Sequence, residues 1–201
     1  MDFTKIKKNL EKKGYEVSTF SSKEEAVDYL SGKIDGKTVG MGGSVTIQEM
    51  GLFDKLADHN DVFWHWRLPE GMTVEEVRQR QMTTEIFITS ANGIAESGEL
   101  MNIDGSGNRV SASIFGHEKV YFVIGSNKIR PTFEEAYERM RNNAGPKNAH
   151  RLGVKTPCAK RGDKCYNCQS PERICRVFTS FWCCPNGQPC EVVLIDEPLG
   201  Y

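Results

Sequence analysis

The segment KVYFVIG, residues 119–125, narrows the choice of fold more than any other part of the sequence. Its nearly continuous apolar character is typical of a strand buried on both faces, as in a parallel sheet covered by helices. Further strand patterns occur at 15–20, 37–41, 62–66 and 85–90, with segments of helical periodicity between them. This alternation predicts an α/β fold with a mostly parallel sheet flanked by helices.

Capping-box signatures predict where several of the helices begin. In each signature a Ser or Thr is followed three residues later by Glu, so that the two residues can satisfy free backbone amides at the helix start. The signatures are Ser22 with Glu25, Thr46 with Glu49, Thr73 with Glu76, and Thr132 with Glu135.

A change in composition predicts how the chain is divided. Helical patterns give way to Gly and Pro around residues 144–157, so we expect an α/β core domain over 1–150 and a Cys-rich extension over 151–201. Within the extension, Asn186-Gly187 separates two β-rich runs, which predicts a terminal β-hairpin.

All seven cysteines of the chain lie between residues 158 and 190. Four of them, Cys158, Cys165, Cys168 and Cys175, have the spacing C-x6-C-x2-C-x6-C. Four thiolates suit either an iron–sulfur cluster of the [4Fe–4S] type or a tetrahedral zinc ion. Zinc ribbons pair two C-x2-C knuckles, whereas this segment has one, so the spacing favours the cluster and leaves zinc as the alternative.

Basic residues surround these four cysteines, and they would lower the thiol pKa values and offset the negative charge of a cluster. They are Lys160, Arg161, Lys164, Arg173 and Arg176. We interpret the other three cysteines, Cys183, Cys184 and Cys190, as small core residues of strands.

A glycine-rich loop follows the second predicted strand. Gly42, Gly43, Ser44 and Thr46 lie between this strand and a helix start, where backbone amides and hydroxyls favour an anion. The loop matches neither a Walker A motif nor a dinucleotide fingerprint. Its glycines therefore either bind an anionic ligand or serve turn geometry alone.

A second polar loop covers residues 88–110, beyond the strand at 85–90. Glu99 or Asp104 is predicted as a general base, and Arg109 as a clamp for an anion. The other candidate ligand-binding residues of this loop are Asn92, Asn102, Gly105, Gly107 and Asn108. Ligands of open α/β sheets bind beyond the carboxyl ends of strands, so a small anionic metabolite is the expected ligand. The alternative is a hairpin whose polar groups satisfy its own turns.

Charge and hydropathy exclude several functions. Lys and Arg number 26 against 27 Asp and Glu, which argues against nucleic-acid binding. No apolar run approaches the roughly 20 residues that cross a membrane. The N-terminus has no apolar signal segment, and clustered cysteines persist as thiols in reducing compartments, so we expect a cytoplasmic protein. The four histidines are scattered and show no metal-ligand spacing, which argues against a histidine metal site.

The segments 42–52, 88–116, 123–129 and 148–159 resemble the lactate-utilisation (LUD) domain family, and NIDGSGNR is the most specific part of the match. The resemblance implies a fold similar to the NagB/RpiA/CoA-transferase-like group. It also implies a role in oxidising L-lactate to pyruvate beside iron–sulfur partner proteins.

In that fold group the glycine loop binds phosphate or carboxylate groups. The resemblance therefore implies that Gly42, Gly43 and Ser44 bind such a group. No catalytic residue is transferred by the resemblance. Two functions follow. The first is a redox accessory subunit that carries an iron–sulfur cluster and docks on iron–sulfur oxidoreductase subunits. The second is a stand-alone enzyme for a small phosphorylated or carboxylated metabolite, with zinc or a cluster only stabilising the extension. A homo-oligomer is compatible with both.

Overall fold

The computed structural model describes all 201 residues and contains ten strands and nine α-helices. The strands are β1 (Glu16–Phe20), β2 (Thr38–Met41), β3 (Asp61–Trp64), β4 (Ile86–Thr89), β5 (Gly93–Ala95), β6 (Leu100–Asp104), β7 (Lys119–Gly125), β8 (Ile129–Arg130), β9 (Val177–Phe181) and β10 (Cys190–Ile195). The α-helices are α1 (Thr4–Lys12), α2 (Lys23–Lys33), α3 (Val45–Met50), α4 (Leu52–Ala57), α5 (Val74–Gln81), α6 (Asn108–Ala112), α7 (Phe133–Arg139), α8 (Gly145–Arg151) and α9 (Pro157–Arg161).

A 3-10 turn covers Ser126–Lys128, and a π-helical turn, Met140–Ala144, joins α7 to α8. None of the helices combines the length and the apolar character that crossing a bilayer demands.

Six parallel strands form the main sheet in the order β1-β10-β7-β4-β2-β3. The predicted α/β fold with helices on both sides is confirmed. Strand β7 lies inside this sheet, where alternate residues face opposite sides. Phe122 packs in the core that contains Leu10 of α1, and Val123 packs in the core that contains Leu30 of α2. The continuous apolar run of β7 is therefore explained by burial on both faces.

A second sheet of four strands has the order β8-β5-β6-β9. Strands β5 and β6 pair antiparallel directly after β4, so the polar loop does contain the hairpin considered as its alternative. This hairpin turns the chain back over the carboxyl ends of the main sheet. It thereby places the residues that follow β6 opposite the glycine loop that follows β2.

The predicted terminal hairpin is wrong. Strand β9 pairs antiparallel with β6, whereas β10 lies parallel between β1 and β7 in the other sheet. All six residues of β10 are buried. An exposed hairpin at the end of the chain would not bury all of them. The division between 1–150 and 151–201 is corrected for the same reason, because residues 190–195 belong to the core sheet.

The predicted helix starts at Ser22, Thr73 and Thr132 are confirmed, since each side chain accepts a hydrogen bond from the amide three residues later. The start predicted at Thr46 is wrong. Ser44 is the N-cap of α3 and accepts from the Ile47 amide, so Thr46 lies inside the helix with its hydroxyl free for other contacts.

Candidate functional site

A cleft of about 260 Å³ opens at the carboxyl ends of four neighbouring strands of the main sheet. Its walls include residues 43–46 after β2, 65–66 after β3, 90–92 after β4 and Lys128 after β7. Residues 103–106 and 108–109, which include the end of β6 and the start of α6, close it from the opposite side. This is the position where open α/β sheets bind ligands, because loops from adjacent parallel strands converge there.

The structure brings the two loops proposed from the sequence together in this cleft. The predicted residues that line it are Gly43, Ser44, Thr46, Asn92, Asp104, Gly105, Asn108 and Arg109. Gly42 and Asn102 lie behind the wall, in contact with Arg109. Gly107 precedes α6 in a left-handed conformation and does not line the cleft.

Arg109 is buried, and other parts of the chain already occupy its guanidinium. Nη1 donates to Asn102 Oδ1 at 3.0 Å, and Nη2 donates to Asn92 Oδ1 at 3.1 Å and to the Ile103 carbonyl at 2.8 Å. Nε lies 3.5 Å from Asp104 Oδ2. Burial lowers the pKa of Arg109, and the negative charge of Asp104 partly offsets this shift. Because its donors are engaged, Arg109 holds the hairpin in place and is not the free anion clamp we predicted.

The two predicted general bases are separated. Glu99 Oε1 accepts a bond from Lys13 Nζ at 2.9 Å and does not line the cleft, so its prediction as a base in this site is wrong. Asp104 is the single acidic side chain in the cleft wall. Its Oδ1 accepts from the Gly105 amide at 2.7 Å, and its Oδ2 accepts from the Val110 amide at 3.3 Å.

The sequence did not identify Lys128 as a site residue, although it lies in the cleft wall and is only 3% exposed. Its Nζ donates to Thr46 Oγ1 at 2.6 Å and to Ser90 Oγ at 2.8 Å. Burial, together with the positive charges of Arg139 and Arg109, holds the pKa of Lys128 well below its usual range. The sequence signal was a lysine three residues beyond the most apolar strand.

Two arginines bring positive charge to the cleft. Arg78 and Arg151 belong to its wall, and neither forms an ion pair. The guanidinium of Arg151 lies over the Trp66 ring, 4.7 Å from its centroid. His65 is half-buried, and burial together with the nearby charge of Arg78 lowers its pKa. The local charge of the cleft therefore favours an anion.

The four cysteines with metal-ligand spacing line one small cavity. Cys165 Sγ accepts from Arg141 Nη2 at 3.1 Å and from the Asn167 amide at 3.4 Å. Asn167, within the C-x2-C turn, has a left-handed φ of 45°, which directs its amide at the sulfur. No three His, Cys, Asp or Glu side chains stand close enough to hold a single metal ion.

This cysteine cavity adjoins the cleft. Ile174 and Cys175 line both, as do Ile103 and Gly145. The remaining cysteines, Cys183, Cys184 and Cys190, do not line the cysteine cavity. Cys190 is buried in β10, as predicted for a core residue. The same prediction is wrong for Cys183, which is exposed, and for Cys184, which is half-buried, because both lie between β9 and β10. The four-cysteine set and the polar cleft are thus neighbours across a shared wall.

Comparison with known proteins gives the family. The sequence profile of the LUD domain matches residues 3–194, nearly the whole chain. The chain belongs to the LUD domain family. This confirms the resemblance drawn from the sequence, and the family is generally linked to lactate utilisation.

One solved structure similar to this LUD domain is that of a DUF162 family protein from Deinococcus radiodurans. It is 13% identical, with a TM-score of 0.54, and the alignment covers 97% of this chain and 99% of the other. At that identity the likeness establishes the shared fold. Among curated proteins, none matches this LUD domain significantly.

Proposed function

We propose that this LUD domain is a redox subunit in the utilisation of lactate or a related 2-hydroxy acid. In this proposal the cleft binds a small carboxylate, and Cys158, Cys165, Cys168 and Cys175 hold a [4Fe–4S] cluster. The observation that carries the proposal is the wall that Ile174 and Cys175 share between the two cavities. A ligand in the cleft would therefore lie next to Cys175, one of the residues that would hold the cluster.

The charge of the cleft supports a small anion as the ligand. Arg78 and Arg151 face it without carboxylate partners, and Asp104 is the only acidic side chain in the wall. A volume of about 260 Å³ matches a metabolite better than a peptide or a nucleic acid. Ser44 and Asn108 offer polar groups that can fix the orientation of such a ligand.

The cysteine set supports a cluster over a zinc ion. All four thiols line one cavity, and their sequence contains one C-x2-C pair, whereas zinc ribbons pair two such knuckles. Arg141 Nη2 and the Asn167 amide both donate to Cys165 Sγ, and such outer contacts hold a ligand sulfur in position.

When bound, such a cluster exchanges single electrons with a neighbouring carrier. Oxidation of a 2-hydroxy acid to a 2-oxo acid releases two electrons. A single cluster therefore needs a second carrier, and this requirement supports an iron–sulfur oxidoreductase as partner. A reducing compartment such as the cytoplasm keeps the cysteines available as ligands.

Anaerobic purification tests this proposal. We expect a brown protein with about four iron and four sulfide per chain, whose visible absorbance is bleached by dithionite. The Cys175→Ser variant should lose the absorbance, whereas Cys183→Ser, outside the cavity, should retain it. A colourless, folded wild-type protein that contains zinc, or neither metal, would contradict the proposal.

One observation favours a second function, a stand-alone enzyme for a carboxylated or phosphorylated metabolite with a structural zinc in the extension. Asp104 and Lys128 lie in the same cleft and can exchange protons with a ligand without any cluster. Turnover of such a metabolite by the zinc form, lost in Asp104→Asn, would favour this function.

A further inference from the structure

Lys128 is a buried amine that the proposed electron-transfer role does not use. Lysine is almost never fully buried unless it is paired with an acid, yet both acceptors of its Nζ are hydroxyls. The Thr46 hydroxyl is oriented by the Leu199 carbonyl, to which it donates at 3.2 Å. It therefore turns a lone pair toward Nζ, which fixes the amine at the base of the cleft.

The charges around Lys128 favour its neutral form. Burial disfavours a protonated amine at this position, and the positive charges of Arg139 and Arg109 act in the same direction. Glu49 is the one acidic residue that opposes this effect, and its carboxylate accepts a bond from the Gly200 amide at 2.7 Å. A neutral amine keeps the lone pair that nucleophilic attack requires.

We infer that Lys128 is a nucleophile that forms an imine with the carbonyl carbon of a small 2-oxo acid bound in the cleft. The carbonyl is the group with which an amine condenses, and the carboxylate of the same molecule suits the unpaired Arg78 and Arg151 in the wall. This inference rests on the part of the proposed function in which the cleft takes a small carboxylate. It does not depend on the cluster.

The condensation needs no oxidant or reductant. The Nζ lone pair attacks the carbonyl carbon, and the first adduct carries a hydroxyl on that carbon. Both amine hydrogens then leave with the former carbonyl oxygen as one molecule of water, and a carbon–nitrogen double bond remains. The Ser90 hydroxyl, 2.8 Å from Nζ, is placed to pass protons between the nitrogen and the oxygen.

Reductive trapping tests the imine on the full-length protein. Pyruvate or glyoxylate is added with sodium cyanoborohydride, and intact mass and peptide mapping locate the reduced adduct. We expect one adduct per chain, on Lys128. The Lys128→Met variant should show only the level of a blank without pyruvate, whereas Lys147→Met, at an exposed lysine outside the cleft wall, should behave as wild type.

Binding of pyruvate without reductant is measured in parallel by calorimetry. Binding together with an adduct on Lys128 supports the inference. Binding without an adduct overturns it but leaves the carboxylate site of the proposed function intact. Absence of binding overturns both, and an adduct spread over exposed lysines overturns the inference. Peptide mapping of the wild type keeps the test decisive even if Lys128→Met does not fold.

Discussion

The Nζ atom of Lys128 lies 2.6 Å from the hydroxyl oxygen of Thr46, in a buried layer where it forms no ion pair with a carboxylate. The unfolded chain holds a proton on this amine up to an ordinary pKa of about 10.4. The folded chain releases the proton at a lower pH, because burial lowers the pKa of Lys128. Between the two pKa values the unfolded state binds more protons, so this residue makes stability rise with pH.

The Lys128→Met variant removes this effect while it preserves the side-chain length. Thr46 keeps its bond to the Leu199 carbonyl, so the substitution leaves that hydroxyl satisfied. We expect the free energy of unfolding at pH 7 to increase by about 1–3 kcal/mol, with a smaller difference from wild type at pH 10. Urea denaturation at both pH values measures this. A variant less stable than wild type at pH 7 would contradict the assignment of a neutral, buried amine.

Arg109 is predicted to be essential for folding of the cleft. The Arg109→Met variant would remove the charged donor from the oxygens of Asn92 and Asn102, which would keep only one backbone amide each, and would leave Asp104 without its cation. Loss of one partner from a buried charged network costs about 3–5 kcal/mol. Urea denaturation should show this loss, and Arg161→Met, at an exposed arginine, should change little. If Arg109→Met is as stable as the wild type but no longer binds the anion, Arg109 is a ligand clamp, as the sequence predicted.

Gly42 approaches Arg109 so closely that a side chain does not fit. A Cβ atom at position 42 would lie 2.9 Å from Arg109 Cγ and 3.0 Å from Thr89 Oγ1. We expect Gly42→Ala to destabilise the protein by about 1–3 kcal/mol. Gly32 in α2 has open space around it, so Gly32→Ala should stabilise by about 0.5–1 kcal/mol. Equal effects in thermal unfolding would show that position 42 has no packing requirement.

Local patterns were sufficient for most of the fold and for the position of the cleft. The apolar run of β7 and the caps at Ser22, Thr73 and Thr132 depend on residues close in sequence. The two polar loops met because both follow parallel strands, β2 and β4, which pair with each other. That relation holds whichever side chains the loops carry.

Contacts between distant residues were not predictable in this way. Asn186-Gly187 is a sound local hairpin signal. The apolar β10 instead pairs with β1 and β7 in the main sheet, where it is more deeply buried than it would be in a terminal hairpin. The position of Lys128 depends on Thr46 and Ser90, 82 and 38 residues away. Glu99 was misassigned because its partner, Lys13, lies on the first helical segment of the chain.

His65 should make anion binding depend on pH. Burial and the charge of Arg78 lower its pKa, so the ring in the cleft wall is neutral at pH 7.5. Protonation of His65 adds a positive charge to the cleft. A bound anion favours the protonated ring, and the protonated ring therefore binds the anion more tightly. We expect pyruvate affinity, measured by calorimetry, to rise roughly three- to tenfold as the pH falls to 5.5. In His65→Gln the affinity should be nearly constant. The same pH dependence in that variant would exclude His65 as its source.

The four-cysteine segment should lose its order when one ligand is removed, while the sheet persists. In Cys165→Ser the Arg141 and Asn167 donors lose the sulfur they contact, and the proposed cluster loses a ligand. We expect iron and sulfide near background and faster hydrogen exchange over residues 157–176. The control Cys183→Ser changes an exposed thiol outside the cavity and should retain both metal and protection.

The six-stranded sheet is expected to survive this change, because its cores are formed by side chains such as Leu10, Phe122 and Val193 and contain none of the four ligands. Far-UV circular dichroism and protection of β7 against exchange should therefore match the wild type. Loss of protection throughout β7 in Cys165→Ser would mean that the segment 157–176 must be ordered before β10 can enter the sheet. The cysteine site and the α/β core would then fold as one unit.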